Sequence, residues 1–466
     1  MEQEKRNKER AAERRIALMV ACLSSFLTPF MGSATNIALP SIGREFQASA
    51  IILGWVATAY SLTAAMILVP MGRVADIYGR KRVFISGLAI HTFGSWLASS
   101  TPSMALLLIA RVIQGIGSAM IFGTGVAILT SIFPPNQRGR VLGINVSFTY
   151  LGLTLGPILG GVLTQNFSWR SIFLFNSLIG LVAFVSALLG LKGEWAEARG
   201  ERLDLKGAFI YSLSLVFLIS GFSRLPTSFG FILSSFGLLG LFIFLWWESK
   251  VPSPLLNLHL FRQNRLFAFS NLAALIHYSA TAAVSLLLSL YLQYIKGMSP
   301  RTAGFVLVAQ PFLMALFSPL AGRISDRIEP RLVASTGMAL SSLGLFGLIF
   351  LEAESSIQSV VASLAFLGFG FALFSSPNTN AVMGSVERKF YGLASSTLAT
   401  MRLIGQMMSL GTVMILFSLF IGPRAIEPAI YPVFLRSAHV GFIVFALLCS
   451  LGVAASLARG RRSIQR

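Results

Sequence analysis

The chain has 466 residues, a mean hydropathy of +0.75, and 55% hydrophobic but only 12% charged residues. An average soluble domain carries about 25% charged residues, so the composition excludes a soluble globule, a disordered chain and a disulfide scaffold. The net charge of +20 does not predict nucleic-acid binding, because the basic residues recur in short clusters between apolar runs, as in an integral membrane protein. Cys22 and Cys449 lie inside apolar runs and show no metal-ligand spacing.

The sequence contains fourteen apolar segments, and a helix needs about 20 apolar residues to cross a bilayer. They predict an all-α integral membrane protein with fourteen transmembrane helices at residues 16–39, 50–72, 83–100, 103–126, 140–163, 171–191, 207–223, 227–247, 267–291, 302–322, 332–351, 357–380, 390–421 and 437–458. Of the 37 Lys and Arg residues, 28 lie in the tails and even-numbered loops and seven in the odd-numbered loops. Because basic residues stay on the cytoplasmic side, both termini are predicted to be cytoplasmic.

An internal repeat divides the chain into halves. The sequence Gly-Arg-Val-Ala-Asp at 72–76 follows the second span, and Gly-Arg-Ile-Ser-Asp at 322–326 follows the tenth, 250 residues later. That separation fits six spans plus two inserted spans, and paired halves are typical of secondary transporters. The predicted organisation is a tail at 1–15, a six-helix bundle at 16–191, two inserted helices with their loops at 192–250, a second six-helix bundle at 251–458 and a tail at 459–466.

The stretch 72–81, Gly-Arg-Val-Ala-Asp-Ile-Tyr-Gly-Arg-Lys, resembles the loop motif between spans two and three of the major facilitator superfamily. The whole chain resembles the fourteen-span drug:proton antiporter branch of that superfamily. In the family this motif holds the two halves together on the cytoplasmic side in the outward-open state. The resemblance therefore implies a gating role for Gly72, Arg73, Asp76, Gly79, Arg80, Gly322, Arg323 and Asp326.

Two predicted spans carry an arginine with a glutamine on the same helix face. Arg111 and Gln114 in span four fit the family pattern Arg-x-x-Gln-Gly, and Arg402 and Gln406 in span thirteen lie one turn apart. An arginine within the membrane is costly unless it faces a cavity or a partner. The resemblance implies proton coupling or anion contact for the first pair. The second pair is either a second face of this kind or structural.

The stretch 152–161 in span five, Gly-Leu-Thr-Leu-Gly-Pro-Ile-Leu-Gly-Gly, resembles the antiporter signature that separates exporters from importers in the superfamily. Its defining residues are Gly152, Gly156, Pro157, Gly160 and Gly161. Small residues one turn apart form a flat strip for helix contact, and the proline removes a backbone hydrogen bond and bends the helix. The resemblance therefore implies an exporter.

Span one departs from the branch at one position. The branch has an acidic residue where this chain has Met31, although Asn36 and the sequence Ala-Leu-Pro at 38–40 match. No Asp or Glu lies deep in a predicted span, although a lipophilic cation requires a buried carboxylate and a transported proton requires a titratable carrier. The remaining candidate carriers are His91 and His277. An interior with two arginines and no acid predicts anionic, zwitterionic or neutral amphipathic substrates rather than dicationic drugs.

Further polar residues within the predicted spans are candidates to line a central cavity or to bond neighbouring helices. They are Asn36, Asn145, Tyr150, Asn271, Gln310, Asn378 and Asn380, together with His277.

The leading prediction is a secondary active exporter of lipophilic or amphipathic small molecules in the cell membrane, working by alternating access and proton antiport. Its expected partners are the substrate, protons and the lipid bilayer, and we expect a monomer that binds no nucleic acid. One alternative is an exporter or flippase of an anionic metabolite or lipid with altered or no proton coupling. A second is a transport-inactive sensor or scaffold. The sequence contains no nucleophile–base pair, phosphate-binding loop or metal-ligand cluster, so we expect neither an enzyme nor a cofactor.

Overall fold

The computed structural model describes residues 2–196, 198, 200–251, 254–256, 258–386 and 391–459. Every regular element in these ranges is helical, as the sequence predicts. The first six helices form the N-terminal bundle: α1 (Glu2–Phe46), α2 (Ala50–Tyr78), α3 (Arg80–Ser99), α4 (Met104–Ile132), α5 (Pro135–Asn166) and α6 (Arg170–Gly190). Serine side chains begin two of them, because Ser49 accepts a hydrogen bond from the Ile52 amide and Ser103 from the Leu106 amide.

Two inserted helices follow the N-terminal bundle. They are α7 (Leu205–Phe222), capped by Asp204, and α8 (Ser228–Glu248), capped by Thr227. Helix α7 packs on α2, where the Tyr211 hydroxyl donates to the Ala65 carbonyl at 3.0 Å. Large apolar side chains of α8 remain exposed, including Phe242 at 70%, which is the composition of a lipid-facing surface.

The remaining helices form the C-terminal bundle, and three of its spans are broken into pieces. The elements are α9 (Leu258–Gln263), α10 (Arg265–Thr281), α11 (Val284–Leu290), a π-helix (Tyr291–Ile295), α12 (Pro300–Leu307), α13 (Ala309–Arg327), α14 (Pro330–Ile349), α15 (Ile357–Gly384), α16 (Tyr391–Leu416), a π-helix (Phe417–Ile421), a 3₁₀-helix (Pro428–Ile430) and α17 (Tyr431–Leu457). The break between α12 and α13 has a chemical cause, because Pro311 has no N–H for the Leu307 carbonyl. At the break before α11, the Ala283 amide donates to Ser409 Oγ at 3.0 Å.

Each of the fourteen predicted spans overlaps a helix of this structure. Thirteen helices of the described residues are long and apolar enough to cross a membrane. Helix α3 is not among the thirteen, and its basic first turn (Arg80, Lys81 and Arg82) and His91 lower its hydropathy. The count of fourteen spans therefore stays a prediction.

The two six-helix bundles are joined at the face opposite the chain termini. Near the end of α1, Asn36 Nδ2 donates to Ser285 Oγ of α11 at 2.7 Å. At the start of α2, the Ala50 amide donates to the Arg424 carbonyl at 3.1 Å. Midway along α1, by contrast, the space around the Cα of Gly32 is open. The bundles are therefore closed against each other on the face that lies away from the termini.

The predicted orientation places that closed face outside the cell, and accessibility to a membrane-impermeant reagent tests it. Phe167 lies on the closed face and is 77% exposed, whereas the side chain of Arg82, on the face of the termini, is 79% exposed. With Cys22 and Cys449 replaced by alanine, we expect an impermeant maleimide to label Phe167→Cys in intact cells. Arg82→Cys should react only after permeabilisation. The opposite pattern would show that the termini are external.

Candidate functional site

Arg111 is buried inside the N-terminal bundle without an acidic partner among the described residues. The side chain is 1% exposed, and its Nε donates to the Val56 carbonyl at 2.9 Å while Nη1 donates to Gln114 Oε1 at 2.9 Å. Its guanidinium carbon lies 4.4 Å from the centre of the Tyr60 ring. A carbonyl, an amide oxygen and an aromatic face therefore compensate the charge that a carboxylate would otherwise balance.

This arginine belongs to a closed ring of polar side chains from α2, α3, α4 and α6. The ring runs through Arg111, Gln114, Ser95, Asn176, His91, Ser118 and Tyr60, and each of these side chains is at least nine-tenths buried. The links that follow Gln114 measure between 2.7 and 3.1 Å. The structure thus places Arg111 and Gln114 in the interior of one bundle, not on an open surface.

His91 occupies a position in this ring where both ring nitrogens are engaged. Nε2 accepts from Asn176 Nδ2 at 2.8 Å, and Nδ1 lies 3.3 Å from the Gln114 carbonyl and 3.1 Å from Ser118 Oγ. A carbonyl only accepts, so Nδ1 carries the hydrogen and the imidazole is neutral. No ring nitrogen of His91 remains free for a transported proton.

His277 has a different environment in the C-terminal bundle. Its Nε2 lies 3.1 Å from Ser341 Oγ, and its ring stacks on Phe374 with centroids 4.2 Å apart. Nδ1 is buried and has no hydrogen-bond partner in the described part of the chain. Of the two candidate carriers, His277 is therefore the one with a ring nitrogen not already committed.

Arg402 is half-buried on α16, where the two bundles face each other. Nη2 donates to Thr379 Oγ1 at 2.7 Å, and the guanidinium carbon lies 5.7 Å from the centre of the Tyr278 ring. Tyr278 is held by Ser375 and lies within electrostatic range of Tyr150 on α5 of the other bundle. Gln406, one turn along α16, is also half-buried. The structure therefore places Arg402 beside one tyrosine, Tyr278, and that tyrosine is near Tyr150 of the other bundle.

The candidate cavity residues divide into buried and partly exposed groups. Asn145 is 4% exposed and accepts from Ser25 Oγ at 2.9 Å, whereas Asn271 is fully buried and donates to its own helix at the Phe267 carbonyl. Asn378 is 1% exposed, and its side chain has no partner among the described residues. The structure therefore does not place these three on an open surface.

The other cavity candidates are partly exposed. Tyr150 and Gln310 are half-buried, and Asn380 donates to Ser325 Oγ at 2.7 Å. Asn36 is engaged in the contact with Ser285 that joins the bundles. Sequence placement within a span thus identifies polar residues but not the face on which they lie.

The gating motif forms its contacts within the N-terminal half and the segment before α7. Two nitrogens of Arg80 donate to Asp76 Oδ1 at 2.8 and 2.9 Å, and Arg73 forms an ion pair with Glu201. Gly79 has φ +122°, and a Cβ there would lie 2.5 Å from the Glu194 carboxyl carbon. The backbone angle favours glycine at this position, because residues with a side chain rarely adopt it.

The corresponding stretch of the second half is less fully described. A Cβ at Gly322 would lie 2.9 Å from Ser376 Oγ of α15, and Arg323 is exposed. The side chain of Asp326 lies outside the described residues. The gating role of all eight residues therefore stays a prediction.

The antiporter signature brings α5 into direct backbone contact with two other helices. A Cβ at Gly152 would lie 2.5 Å from the Phe26 carbonyl of α1, and Cβ atoms at Gly156 and Gly160 would also lie under 3 Å from α1 atoms. A Cβ at Gly161 would meet the Pro300 carbonyl of the other bundle at 2.5 Å. The signature therefore packs α5 on α1 within its own bundle and on α12 across the closed face.

Met31 occupies the position at which the antiporter branch has an acid. It is fully buried in the apolar cluster that also contains Phe30 and Ala34. The described carboxylates that belong to helices lie near helix ends, for example Glu45 and Asp76.

Helical bundles joined on one face, with thirteen helices among the described residues long and apolar enough to cross a membrane, are typical of multi-pass membrane transporters. A family model described as Major Facilitator Superfamily matches residues 21–255 and 271–464. The chain therefore belongs to the Major Facilitator Superfamily, and its resemblance to the superfamily's multidrug exporters is confirmed by its relatives. It is a multi-pass protein of the cell membrane.

The chain is 30% identical over 390 residues to the riboflavin transporter RibZ of Clostridioides difficile (strain 630), covering 83% of this chain and 84% of the relative. It is 31% identical over 396 residues to the multidrug resistance protein Stp of Mycobacterium tuberculosis (strain CDC 1551 / Oshkosh), covering 84% of this chain and 73% of the relative. The crystal structure of the peptide transporter POT in complex with sulfate has a TM-score of 0.69 at 14% identity, covering 95% of each chain. At that identity, this structure shows the common fold alone.

The closed polar ring predicts that its members stabilise the N-terminal bundle. Asn176→Ala removes the donor to His91 and Ser95 and leaves a buried acceptor unpaired, which costs about 1–3 kcal/mol. We expect a lower melting temperature in detergent. Ser147→Ala is the matched control, because that exposed hydroxyl bonds the Gly143 carbonyl of its own helix. Equal melting temperatures for both variants would contradict a stabilising role for the ring.

Proposed function

We propose that this protein exports amphipathic aromatic small molecules that are neutral or negatively charged, in exchange for protons. The substrate would bind between the two bundles and leave by alternating access. The observation that carries the proposal is the environment of Arg402 on α16. Within the described residues, this arginine forms no ion pair, and its guanidinium carbon lies 5.7 Å from the centre of the Tyr278 ring, which is near Tyr150 of the other bundle.

The chemistry of Arg402 favours an anionic or polar partner. Its Nη2 is bound by a neutral hydroxyl, and its Nε is buried without a partner in the described part of the chain. A guanidinium left without an acid in a low-dielectric site is stabilised by any anion that reaches it. A lipophilic cation would meet repulsion at the same place.

The tyrosines supply the aromatic part of the proposed site. Tyr278 lies on α10 and Tyr150 on α5, so a ligand that reaches both tyrosines would contact both bundles. Aromatic side chains offer large apolar faces together with a polar hydroxyl, which suits amphipathic ligands. Two relatives of the chain, a riboflavin transporter and a multidrug resistance protein, support small-molecule transport as the activity.

The closed face supports alternating access as the mechanism. The bundles meet through hydrogen bonds and glycine contacts at the ends of α1, α2 and α5 that lie away from the termini. Rocking one bundle against the other would open this face and close the other around a fixed site. With the termini in the cytoplasm, the present arrangement would face inward, ready to receive a substrate from the cell.

Protons would be exchanged through a side chain other than a buried carboxylate. Position 31 is a methionine, and His91 has both ring nitrogens bonded. His277 retains an uncommitted Nδ1, and its ring stacks on Phe374 in the C-terminal bundle. We therefore assign proton exchange to His277.

Reconstitution tests the substrate class directly. Liposomes containing the purified protein and a trapped pH dye are exposed to ethidium (a cation), riboflavin (neutral) or naphthalenesulfonate (an anion). We expect proton flux with riboflavin and naphthalenesulfonate and little with ethidium. Arg402→Gln should lower the flux driven by the anion about tenfold or more, because a hydrogen bond to a charged group contributes roughly 1.5–3 kcal/mol.

The control for this variant is Arg436→Gln. Arg436 is an exposed arginine of α17, beside the Phe420 ring, and its replacement should leave all three fluxes unchanged. Flux driven by ethidium alone would contradict the proposed substrate class. Movement of substrate measured separately, without any change in interior pH, would contradict proton exchange.

The assignment of His277 predicts a change in pH dependence rather than a simple loss. His277→Gln removes the ring that would carry the proton, so the transport rate should lose most of its dependence on pH. His91→Gln is the matched control and should retain the wild-type pH profile, because the native ring is already neutral and fully bonded. A wild-type profile in His277→Gln would remove this residue from proton exchange.

A further inference from the structure

Three prolines in this structure free a backbone carbonyl, and each freed carbonyl accepts a serine hydroxyl from another helix. A proline has no N–H, so the carbonyl four residues earlier loses its helical partner. The three pairs are Leu153 O with Ser33 Oγ at 3.3 Å (freed by Pro157), Met66 O with Ser212 Oγ at 3.2 Å (freed by Pro70) and Asn36 O with Ser289 Oγ at 2.6 Å (freed by Pro40). Of these three, the pair at Pro40 joins the two six-helix bundles.

The serine at this third position is part of a ladder along the C-terminal bundle. Ser285, Ser289 and Gln293 follow each other at intervals of four residues, so they share one helix face. Ser285 accepts from Asn36 Nδ2 at 2.7 Å, and Gln293 Nε2 donates to the Ile37 carbonyl at 2.9 Å. Gln293 Nε2 also lies 3.1 Å from Ser289 Oγ. All three rungs therefore end on the last turns of α1.

The ladder lies where water is excluded. Ser289 is fully buried and Gln293 is 5% exposed. A buried carbonyl without a partner costs more than a typical hydrogen bond contributes, so the Asn36 carbonyl strongly favours the arrangement in which Ser289 reaches it. When the bundles separate, the same carbonyl would be hydrated by the water that enters the opening.

We propose that Pro40 is a positioning residue of a gate formed by Asn36, Ile37, Ser285, Ser289 and Gln293. By removing one N–H from α1, Pro40 leaves an acceptor on the helix surface that the other bundle must satisfy for this face to close. The Ser289 hydroxyl donates to this acceptor, the Asn36 carbonyl, without breaking any hydrogen bond inside α1. This inference rests on the proposed function only for the place of the closed state in a transport cycle.

Distance measurements across the closed face test the gate. Phe167 at the end of α5 and Glu427 before α17 are both exposed and belong to different bundles. We replace Cys22 and Cys449 by alanine and attach spin labels at Phe167→Cys and Glu427→Cys. Pulsed electron paramagnetic resonance in nanodiscs then measures the distance between the two labels. Ser289→Ala should raise the long-distance population about fivefold, the change that corresponds to one typical hydrogen bond.

Pro40→Ala supplies the independent variant. It restores an N–H that can bond the Asn36 carbonyl within α1, so the long-distance population should again rise severalfold. Ser279→Ala is the matched control, because its hydroxyl bonds the Leu275 carbonyl of its own helix, and it should leave the distances unchanged. Size-exclusion profiles establish that each variant is folded, and Gln293→Met, which removes the next rung of the ladder, replaces Ser289→Ala if that variant does not fold.

Three outcomes would overturn parts of the inference. Parent-like distances in Ser289→Ala, or in the substitute Gln293→Met, would remove the gate. A shift in Ser289→Ala without one in Pro40→Ala would remove the role of the proline. An equal rise of the long-distance population in Ser279→Ala would show that the rise does not depend on the contact between Ser289 and Asn36. Because no substrate is present, failure of the transport assay and failure of the gate are distinguishable.

Discussion

The close approach of α5 to α1 and to α12 is the constraint on which the arrangement of the two bundles depends. Glycines bring the α5 backbone against the Phe26 carbonyl of α1 at one end of the antiporter signature and against the Pro300 carbonyl of the other bundle at the other end. Any side chain at Gly152 or Gly161 would overlap main-chain atoms, which cannot move aside as a flexible side chain can. Helix α5 therefore holds α1 in its own bundle while it forms part of the closed face.

The charges of the two arginines within the predicted spans are compensated in different ways. Arg111 is surrounded by a closed ring of neutral partners, so its charge is compensated permanently and its position is fixed. Arg402 has one hydroxyl and one ring beside it and keeps a buried nitrogen without a partner among the described residues. A hydrogen-bond network whose members are all bonded stabilises a bundle, whereas an incomplete network leaves donors that a ligand could bind.

The helical architecture could be predicted from the sequence because hydropathy and span length depend only on neighbours along the chain. All fourteen predicted spans overlap helices. The break before α13 is readable from the sequence, because Pro311 lacks a backbone N–H. The break between α10 and α11 could not be predicted, because the hydroxyl that accepts from Ala283 comes from Ser409 on a distant helix. Breaks of this kind depend on tertiary contacts.

The site was less predictable, because a residue's place in a span does not give the face it occupies. Asn145, Asn271 and Asn378 lie in spans as expected, yet each is buried. The polar ring did leave a sequence signal. Residues 111, 114 and 118 are spaced at three and four, as are 91 and 95 at four, which places them on common helix faces. The spacing does not show which side chains pair between helices. Those pairs distinguish His91, whose ring nitrogens are both bonded, from His277, whose Nδ1 has no partner among the described residues.

Within the ten residues from Met31 to Pro40, one position determines the charge of the helix interior and two others form the contacts that join the bundles. The position that is acidic in the antiporter branch is here a buried methionine in an apolar cluster, so it contributes packing and no charge. Two turns further on, Asn36 and Pro40 match the branch and provide the polar contacts that join the bundles. A methionine in place of an acid would alter which ligands and protons the interior stabilises, while the carbonyl freed by the proline depends on backbone chemistry alone. The chain can therefore differ from its branch in substrate charge and still close in the same way.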